Sequence, residues 1–243
     1  MSTFRSNLNT ELKSGLEVSG LELSSSQINQ LLDYGEMIVE WNEKFNLTAI
    51  LDAQGIAYKH FVDSLLILKY LDLSKGGQLL DVGTGAGFPG IPLKIASPYL
   101  KVDLLDSLNK RGTFLKEVFA KLRLEEIDFY HARAEDLGQD LKFRQQYDFV
   151  CSRAVARLNV LIEWTLPFVK VGGTFFALKG SEGQEEVREA IKGIETLGGK
   201  VIEVVNYTLP GFEDKRVLVI IQKEKETPKQ FPRKPGKAKS QPL

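Results

Sequence analysis

The chain has 243 residues, 43% hydrophobic and 26% charged, enough for one large core or for one main domain with a smaller appendage. No apolar run approaches the ~20 residues of a bilayer span, the start Met1-Ser2-Thr3-Phe4-Arg5-Ser6-Asn7 carries no signal-peptide segment, and a cytoplasmic protein with no membrane partner is expected. The single cysteine, Cys151, excludes an internal disulfide, and the two histidines, His60 and His131, lie too far apart for a zinc spacing, so no metal is expected.

Along the chain, a helical front comes first. After Ser24-Ser25-Ser26-Gln27 the apolar positions Ile28, Leu31, Leu32, Ile38, Trp41 and Phe45 recur at three- and four-residue steps, which predicts an amphipathic helix with a serine cap. A second helix is expected over roughly 58–71, and Gly76-Gly77 then breaks the pattern. We divide the chain into an N-terminal helical extension, 1–75, a main domain, 76–223, and a basic flexible tail, 224–243.

Residues 79–90, Leu79-Leu80-Asp81-Val82-Gly83-Thr84-Gly85-Ala86-Gly87-Phe88-Pro89-Gly90, read as a strand ending in a ligand-gripping turn. Glycines at 83, 85 and 87 permit positive φ and close backbone approach, and the helix that follows turns its free N–H groups toward the same spot. The spacing Gly85-x-Gly87-x-x-Gly90 also fits a dinucleotide fingerprint, and a merely structural glycine turn is a further reading. Asp81 favours another ligand: a carboxylate two residues before the first glycine repels a pyrophosphate but tolerates a phosphate-free sulfonium, as in S-adenosylmethionine.

Pro92 falls in the first turn of the next helix and Ser97-Pro98 ends it. Short apolar runs then alternate with helical stretches: Gln78–Val82, Lys101–Asp106, Ile127–His131, Tyr147–Ser152 and Thr174–Leu178, the last entered through a Gly172-Gly173 turn. The alternation predicts a parallel sheet with helices on both faces. Lys200–Tyr207 and Arg216–Gln222, joined through Pro210-Gly211, read as an antiparallel pair at the edge. The fold class is therefore α/β: a seven-stranded, Rossmann-like, class I S-adenosylmethionine-dependent methyltransferase sheet with a terminal antiparallel hairpin and an N-terminal helical extension.

Ligands of open α/β sheets sit at the carboxyl ends of the strands. After the first strand stand Gly83, Gly85, Gly87 and Phe88; after the second, Asp106, which can accept both ribose hydroxyls or simply cap a helix. After the third stand Ala134 and Glu135, or Asp136, within reach of an adenine amino group or in a solvated turn; after the fourth, Ser152-Arg153-Ala154. The chain has no Pro-Pro, which argues against the turn used for exocyclic amine methylation, and Cys151 reads better as a small core residue than as a nucleophile. Lys110, Arg111, Arg153, Arg157 and Lys179 fall at or just after strand ends; an RNA-binding face is one reading and ordinary solvated charge the other. Residues 229–243 hold five basic side chains and no acid, leaving 27 basic against 32 acidic before them. That segment, with Arg233 and Lys234, reads either as a solubilising end or as an RNA-contacting arm.

Several motifs together give the chain a family resemblance. They are Trp41-Asn42-x-x-x-Asn46-Leu47-Thr48, His60-x-x-Asp63-Ser64, the 81–90 loop, Leu105-Asp106-Ser107-x-x-Lys110-Arg111, Ser152-Arg153-Ala154 and Ala177-Leu178-Lys179-Gly180. With these the chain resembles the bacterial 16S ribosomal RNA guanine-N7 methyltransferases, also called glucose-inhibited division protein B, over roughly residues 25–222; Phe231-Pro232-Arg233-Lys234-x-Gly236 resembles the ending of one branch. The resemblance implies contacts to S-adenosylmethionine from Gly83, Phe88, Asp106-Ser107-Leu108, Ala134-Glu135 and Arg153. It also implies a target guanosine in the decoding-region loop of 16S rRNA, presented within a small ribosomal subunit or an assembly intermediate to a monomeric enzyme. Asn46, His60 and Arg153 are the candidate catalytic residues; Asn46 reads equally as a helix cap and His60 as a core histidine. A small-molecule methyltransferase and a non-catalytic ribosome assembly factor are the rival readings.

Overall fold

In the computed structural model, which describes residues 3–73 and 76–243, the N-terminal part is built of helices joined by short loops. Helix α1 (Thr3–Val18), not anticipated from the sequence, buries Leu8, Leu12 and Leu16, a four-residue repeat that lays one narrow stripe inward. Helix α2 (Ser25–Phe45) begins at the expected serine: the Ser24 hydroxyl accepts from the Gln27 N–H, and the Gln27 side chain reaches back to the Ser24 N–H. The expected helix at 58–71 starts earlier and is not uniform. It consists of α3 (Ala53–Gly55), a π-helical run Ile56–Val62, α4 (Asp63–Leu65) and a 3-10 run Leu66–Tyr70. The boundary placed after residue 75 falls on residues 74–75, outside the described residues.

Seven strands follow: β1 (Gln78–Val82), β2 (Lys101–Asp106), β3 (Ile127–His131), β4 (Tyr147–Arg153), β5 (Val169–Lys179), β6 (Gly199–Thr208) and β7 (Lys215–Lys223). They form one sheet in the order β3-β2-β1-β4-β5-β7-β6, with β7 antiparallel to both β5 and β6 and the other pairs parallel. Helices α5 (Gly90–Ala96), α6 (Asn109–Leu122), α7 (Ala134–Leu137), α8 (Leu158–Thr165) and α9 (Gly183–Thr196) fill the connections, and α10 (Lys237–Ser240) comes last. Both sheet faces are covered, so within β1 Leu79 joins one core while Leu80 and Val82 join the other, as a two-residue period requires. β5 starts at Val169 rather than Thr174. Gly172-Gly173 therefore lies inside the strand, where the register against β4 shifts and a Cβ on Gly173 would stand 2.7 Å from the Asp148 carbonyl oxygen.

The helical front shares the first of these cores: Leu8, Tyr34 and Phe61 pack with Phe88, Ile91, Leu104 and Phe114. Tyr34 stands at the centre, with ring centroids 5.7 Å from Phe61, 5.4 Å from Phe88 and 6.4 Å from Phe114. On the opposite face, the segment expected to be a flexible arm is folded. Phe231 and Ala238 are buried there, Arg144 donates to the carbonyls of Thr227 and Phe231 at 2.7 and 2.6 Å, and Gln139 donates to that of Pro232 at 2.7 Å. The basic composition hid two apolar anchors and an arginine with a buried acid to pair with. No helix among the described residues is long and apolar enough to cross a membrane.

Candidate active site

The strand order reverses between β1 and β4, and a cavity of about 730 Å³ opens at the carboxyl ends of β1, β2 and β4 around that point. Its floor is the loop after β1. Gly83 and Gly85 have φ of +74° and +64°, a region that suits residues without Cβ. The Gly83 and Thr84 N–H groups donate to the Leu105 carbonyl at 2.8 and 3.1 Å, and the Gly85 N–H donates to Asp106 Oδ2 at 2.9 Å, so the loop is tied to the end of β2.

Asp81 is fully buried and lies outside the cavity lining. Its Oδ2 accepts from the Thr84 hydroxyl at 2.7 Å and the Gly90 N–H at 2.9 Å, and burial pushes its carboxyl up to about 6. Lying behind the loop, it does not touch the cavity and holds both ends of the glycine turn. Gly87 also departs from expectation. It does not line the cavity, and a Cβ there would stand 2.4 Å from Ile91 Cδ1 and 2.7 Å from the Tyr34 hydroxyl, so its glycine serves close packing beneath the loop.

Phe88, Asp106, Ser107, Leu108, Ala134, Glu135 and Arg153 line the cavity together. Asp106 is 3% exposed; Oδ1 accepts from the Leu108 N–H and Oδ2 from Gly85 and from Arg111 Nη1 at 2.6 Å. Arg111, expected on RNA, is thus an internal partner of the acid, though its side chain is still 29% exposed.

The opposite wall comes from the π-helical run and the end of β4. The His60 ring stacks on Phe88 at 4.5 Å with 17° between planes, and its Nε2 lies 3.0 Å from the Thr48 hydroxyl. Arg153 donates to the Lys59 carbonyl at 2.9 Å and to Asp63 Oδ2 at 3.0 Å, while its guanidinium lies 4.9 Å from the centre of the Phe88 ring. Asp63 is fully buried and also accepts from Arg216 at 3.1 Å and from the Tyr207 hydroxyl at 2.8 Å. This carboxylate thus joins the helical front, β4, β6 and β7. Burial and the neighbouring Arg153 lower the His60 imidazole to about 3. Stability should therefore fall on acidification from about pH 6.5 towards 3, where the unfolded imidazole takes a proton and the folded one does not. Melting curves of His60→Gln should show a shallower acid loss than the parent chain across that range; parallel curves would mean that burial does not hold His60 neutral.

Other expected residues sit elsewhere. Asn46 is exposed and ends α2 in the left-handed region with φ of 48°, outside the cavity; its neighbours Leu47 and Thr48 line it instead. Lys179 is nearly buried against Glu186 at 2.7 Å and donates to the Ala156 carbonyl, which pins the turn after β4 rather than facing RNA. Arg157 pairs on the surface with Glu182 and Glu189, and Arg233 is engaged by the fully buried Glu163. Lys110 and Lys234 are exposed. Lys59, Arg133, Arg216, Trp164, Gly236 and Lys239 also line the cavity and were not foreseen; Arg216, Trp164, Gly236 and Lys239 reach it from elements distant in sequence, whereas Lys59 and Arg133 adjoin the expected His60 and Ala134. Among the described residues, no three His, Cys, Asp or Glu side chains are grouped to hold a metal ion.

Residues 27–216 match the family model described as GidB, rRNA small subunit methyltransferase G. A curated relative from Alkaliphilus metalliredigens, named ribosomal RNA small subunit methyltransferase G, is 50% identical over 232 residues, covering 96% of this chain and 97% of its own. The protein of that name from Lysinibacillus sphaericus is 51% identical over 228 residues, covering 94% and 96%. Among solved structures, TrmN from Thermus thermophilus matches with a TM-score of 0.51 at 19% identity over 66% of this chain and 48% of that one. Precorrin-6y C5,15-methyltransferase from Geobacter metallireducens matches at 0.51 and 16% identity over 66% and 88%. At these identities the structural likeness is one of fold.

Proposed function

Because the chain belongs to the GidB family of rRNA small subunit methyltransferases, we propose that its cavity holds S-adenosylmethionine and presents to it N7 of one guanosine in the decoding-region loop of 16S rRNA. The observation that carries this reading is the tied glycine turn and Asp106 on one side of a cavity whose other side bears His60, Phe88 and Arg153. The residues fit such a donor. Gly83 and Gly85 keep side chains out of the floor, Phe88 and Leu108 offer apolar surface, and a carboxylate with about four acceptor directions has three in use at Asp106. A ribose diol would take the remaining direction and displace the partly exposed Arg111.

When bound, S-adenosylmethionine supplies an electrophilic methyl group on a sulfonium. Guanine N7 carries a lone pair at neutral pH, so no side chain has to remove a proton. A neutral His60 beside Phe88 adds no positive charge where the purine becomes cationic. Arg153, committed to Asp63 and to the Lys59 carbonyl, fixes the wall against which the base would lie. The work of such a site is alignment, which in well-oriented model reactions supplies about 7–11 kcal/mol. The exposed cation Arg133 at the cavity, with Lys110 and Lys234 nearby in sequence to lining residues, is placed for RNA phosphates. The substrate would be 16S rRNA within a small ribosomal subunit or an assembly intermediate in the cytoplasm, met by the enzyme as a monomer.

The test is transfer of labelled methyl from S-adenosylmethionine to unmodified small subunits, with the base mapped by N7-specific strand cleavage. Label on one guanosine N7 is expected. Asp106→Ala should weaken donor binding by about 1–3 kcal/mol, roughly 5- to 150-fold, through lost charged hydrogen bonds. Label at another atom would remove the N7 assignment, and unchanged donor affinity in the folded variant would remove the ribose contact.

A further inference from the structure

The segment after β7 is anchored more heavily than a solubilising end requires. Glu163, fully buried on α8, accepts from the Arg233 backbone N–H at 2.7 Å and from its Nε and Nη2 at 2.9 and 2.5 Å. A buried carboxylate is costly unless paired and hydrogen-bonded in this way. The next residue on α8, Trp164, lines the cavity, and its buried Nε1 donor has no acceptor among the described residues. Gly236 and Lys239 line the same cavity: the Gly236 N–H donates to Glu135 Oε1 at 3.3 Å, and the Lys239 ammonium lies 5.3 Å from the Trp164 ring. Residues 233–239 therefore bridge α7, which carries Glu135, and α8, which carries Glu163 and Trp164.

We propose that residues 233–239 form a wall of the donor site, with the Arg233–Glu163 pair positioning Gly236 and Lys239 against the adenosine end beside Glu135 and Trp164. This rests on the reading of the cavity as an S-adenosylmethionine site. Arg233 acts through the backbone it holds; Gly236, Lys239 and Trp164 are the residues that would meet the ligand. Tryptophan offers a flat apolar face with an N–H at its edge, and a purine offers a flat face with ring-nitrogen acceptors, so the unpaired indole donor suits that ligand.

The experiment measures, on the full chain, the KM for S-adenosylmethionine and the KM for small subunits separately, together with trypsin cleavage after Lys237 and Lys239 with and without saturating S-adenosylhomocysteine. Arg233→Ala should raise the donor KM about tenfold with little change in the subunit KM, Arg233→Lys should recover part of it, and the ligand should slow cleavage of the parent chain. Lys239→Gln, an exposed position that leaves the Arg233 clamp intact, provides a second variant should Arg233→Ala fold poorly, and it too should raise the donor KM. A donor KM within twofold of the parent in the folded variants, with only the subunit KM raised, would overturn the proposal and return the segment to an RNA-binding role. Cleavage indifferent to ligand in a chain that binds it would also overturn it. A parent chain that binds no donor at all would instead overturn the methyltransferase reading itself.

Discussion

Replacing Asp63 by alanine should be among the most damaging single changes in this chain. The carboxylate is fully buried and accepts from Arg153, Arg216 and Tyr207, so its removal leaves two guanidiniums facing one another in a poorly solvated place. Removing one member of a buried ion pair costs about 3–5 kcal/mol, because the remaining charge is left uncompensated. For a domain of this size each kcal/mol lowers the melting temperature by roughly 2–4 °C, so a fall of about 6–20 °C is expected. Tyr207→Phe removes one neutral donor and should cost only about 1 kcal/mol. The contrast between the two variants is the diagnostic part. A melting temperature for Asp63→Ala within about 3 °C of the parent would mean that solvent reaches the arginines and that the cluster does not hold the helical front to the sheet.

The second large effect is expected at Asp81. Alanine there leaves the Gly90 N–H and the Thr84 hydroxyl without their acceptor beneath the glycine turn, at about 1–3 kcal/mol for each buried orphan. Because these bonds shape the loop, donor affinity should fall along with stability. Asp81→Asn keeps an acceptor oxygen of the same reach and should bind the donor far better than the alanine variant does. The parent chain and the asparagine variant also differ with pH. Burial raises the folded carboxyl to about 6, above its ordinary 3.8, so the folded state takes up a proton first and this group adds stability as pH falls from about 6 towards 3.8. The asparagine variant lacks that gain. Difference melts between the parent and Asp81→Asn across pH 4–7 should show the gap shift in favour of the parent on acidification; a constant gap would mean that Asp81 titrates alike in both states.

All seven strands were legible because period-two burial and short apolar runs are local signals. Their ends matched closely wherever a turn residue marks them, as at Gly83 after Val82. The start of β5 was misjudged because Gly172-Gly173 reads as a turn in sequence, whereas only the neighbouring strand decides whether such a pair is accommodated as an irregular register. Within Ile56–Val62 the sequence marked a helix but not its π-helical step, which no residue type there signals. Gly83, Gly85, Phe88, Asp106, Ala134, Glu135 and Arg153, read from strand ends, all line the cavity. Charge pairing was the least legible part: Lys179, Arg157, Arg111 and Arg233 each have an acid partner, and nothing local in the sequence pairs Arg233 with Glu163 or Lys179 with Glu186. Gly87 was misassigned because a ligand and a tyrosine hydroxyl both demand a missing side chain, and composition does not distinguish them.

The Tyr34 hydroxyl donates to the Ala86 carbonyl in the middle of the glycine turn, while its ring touches Phe61, Phe88 and Phe114. One side chain of the helical front therefore sets the shape of a loop that belongs to the sheet. The two halves are consequently matched parts: a chimera whose first seventy-odd residues lacked a tyrosine at position 34 would leave the Ala86 carbonyl without its donor. Recombination within the family would have to exchange that aromatic cluster and the turn as a single inherited block.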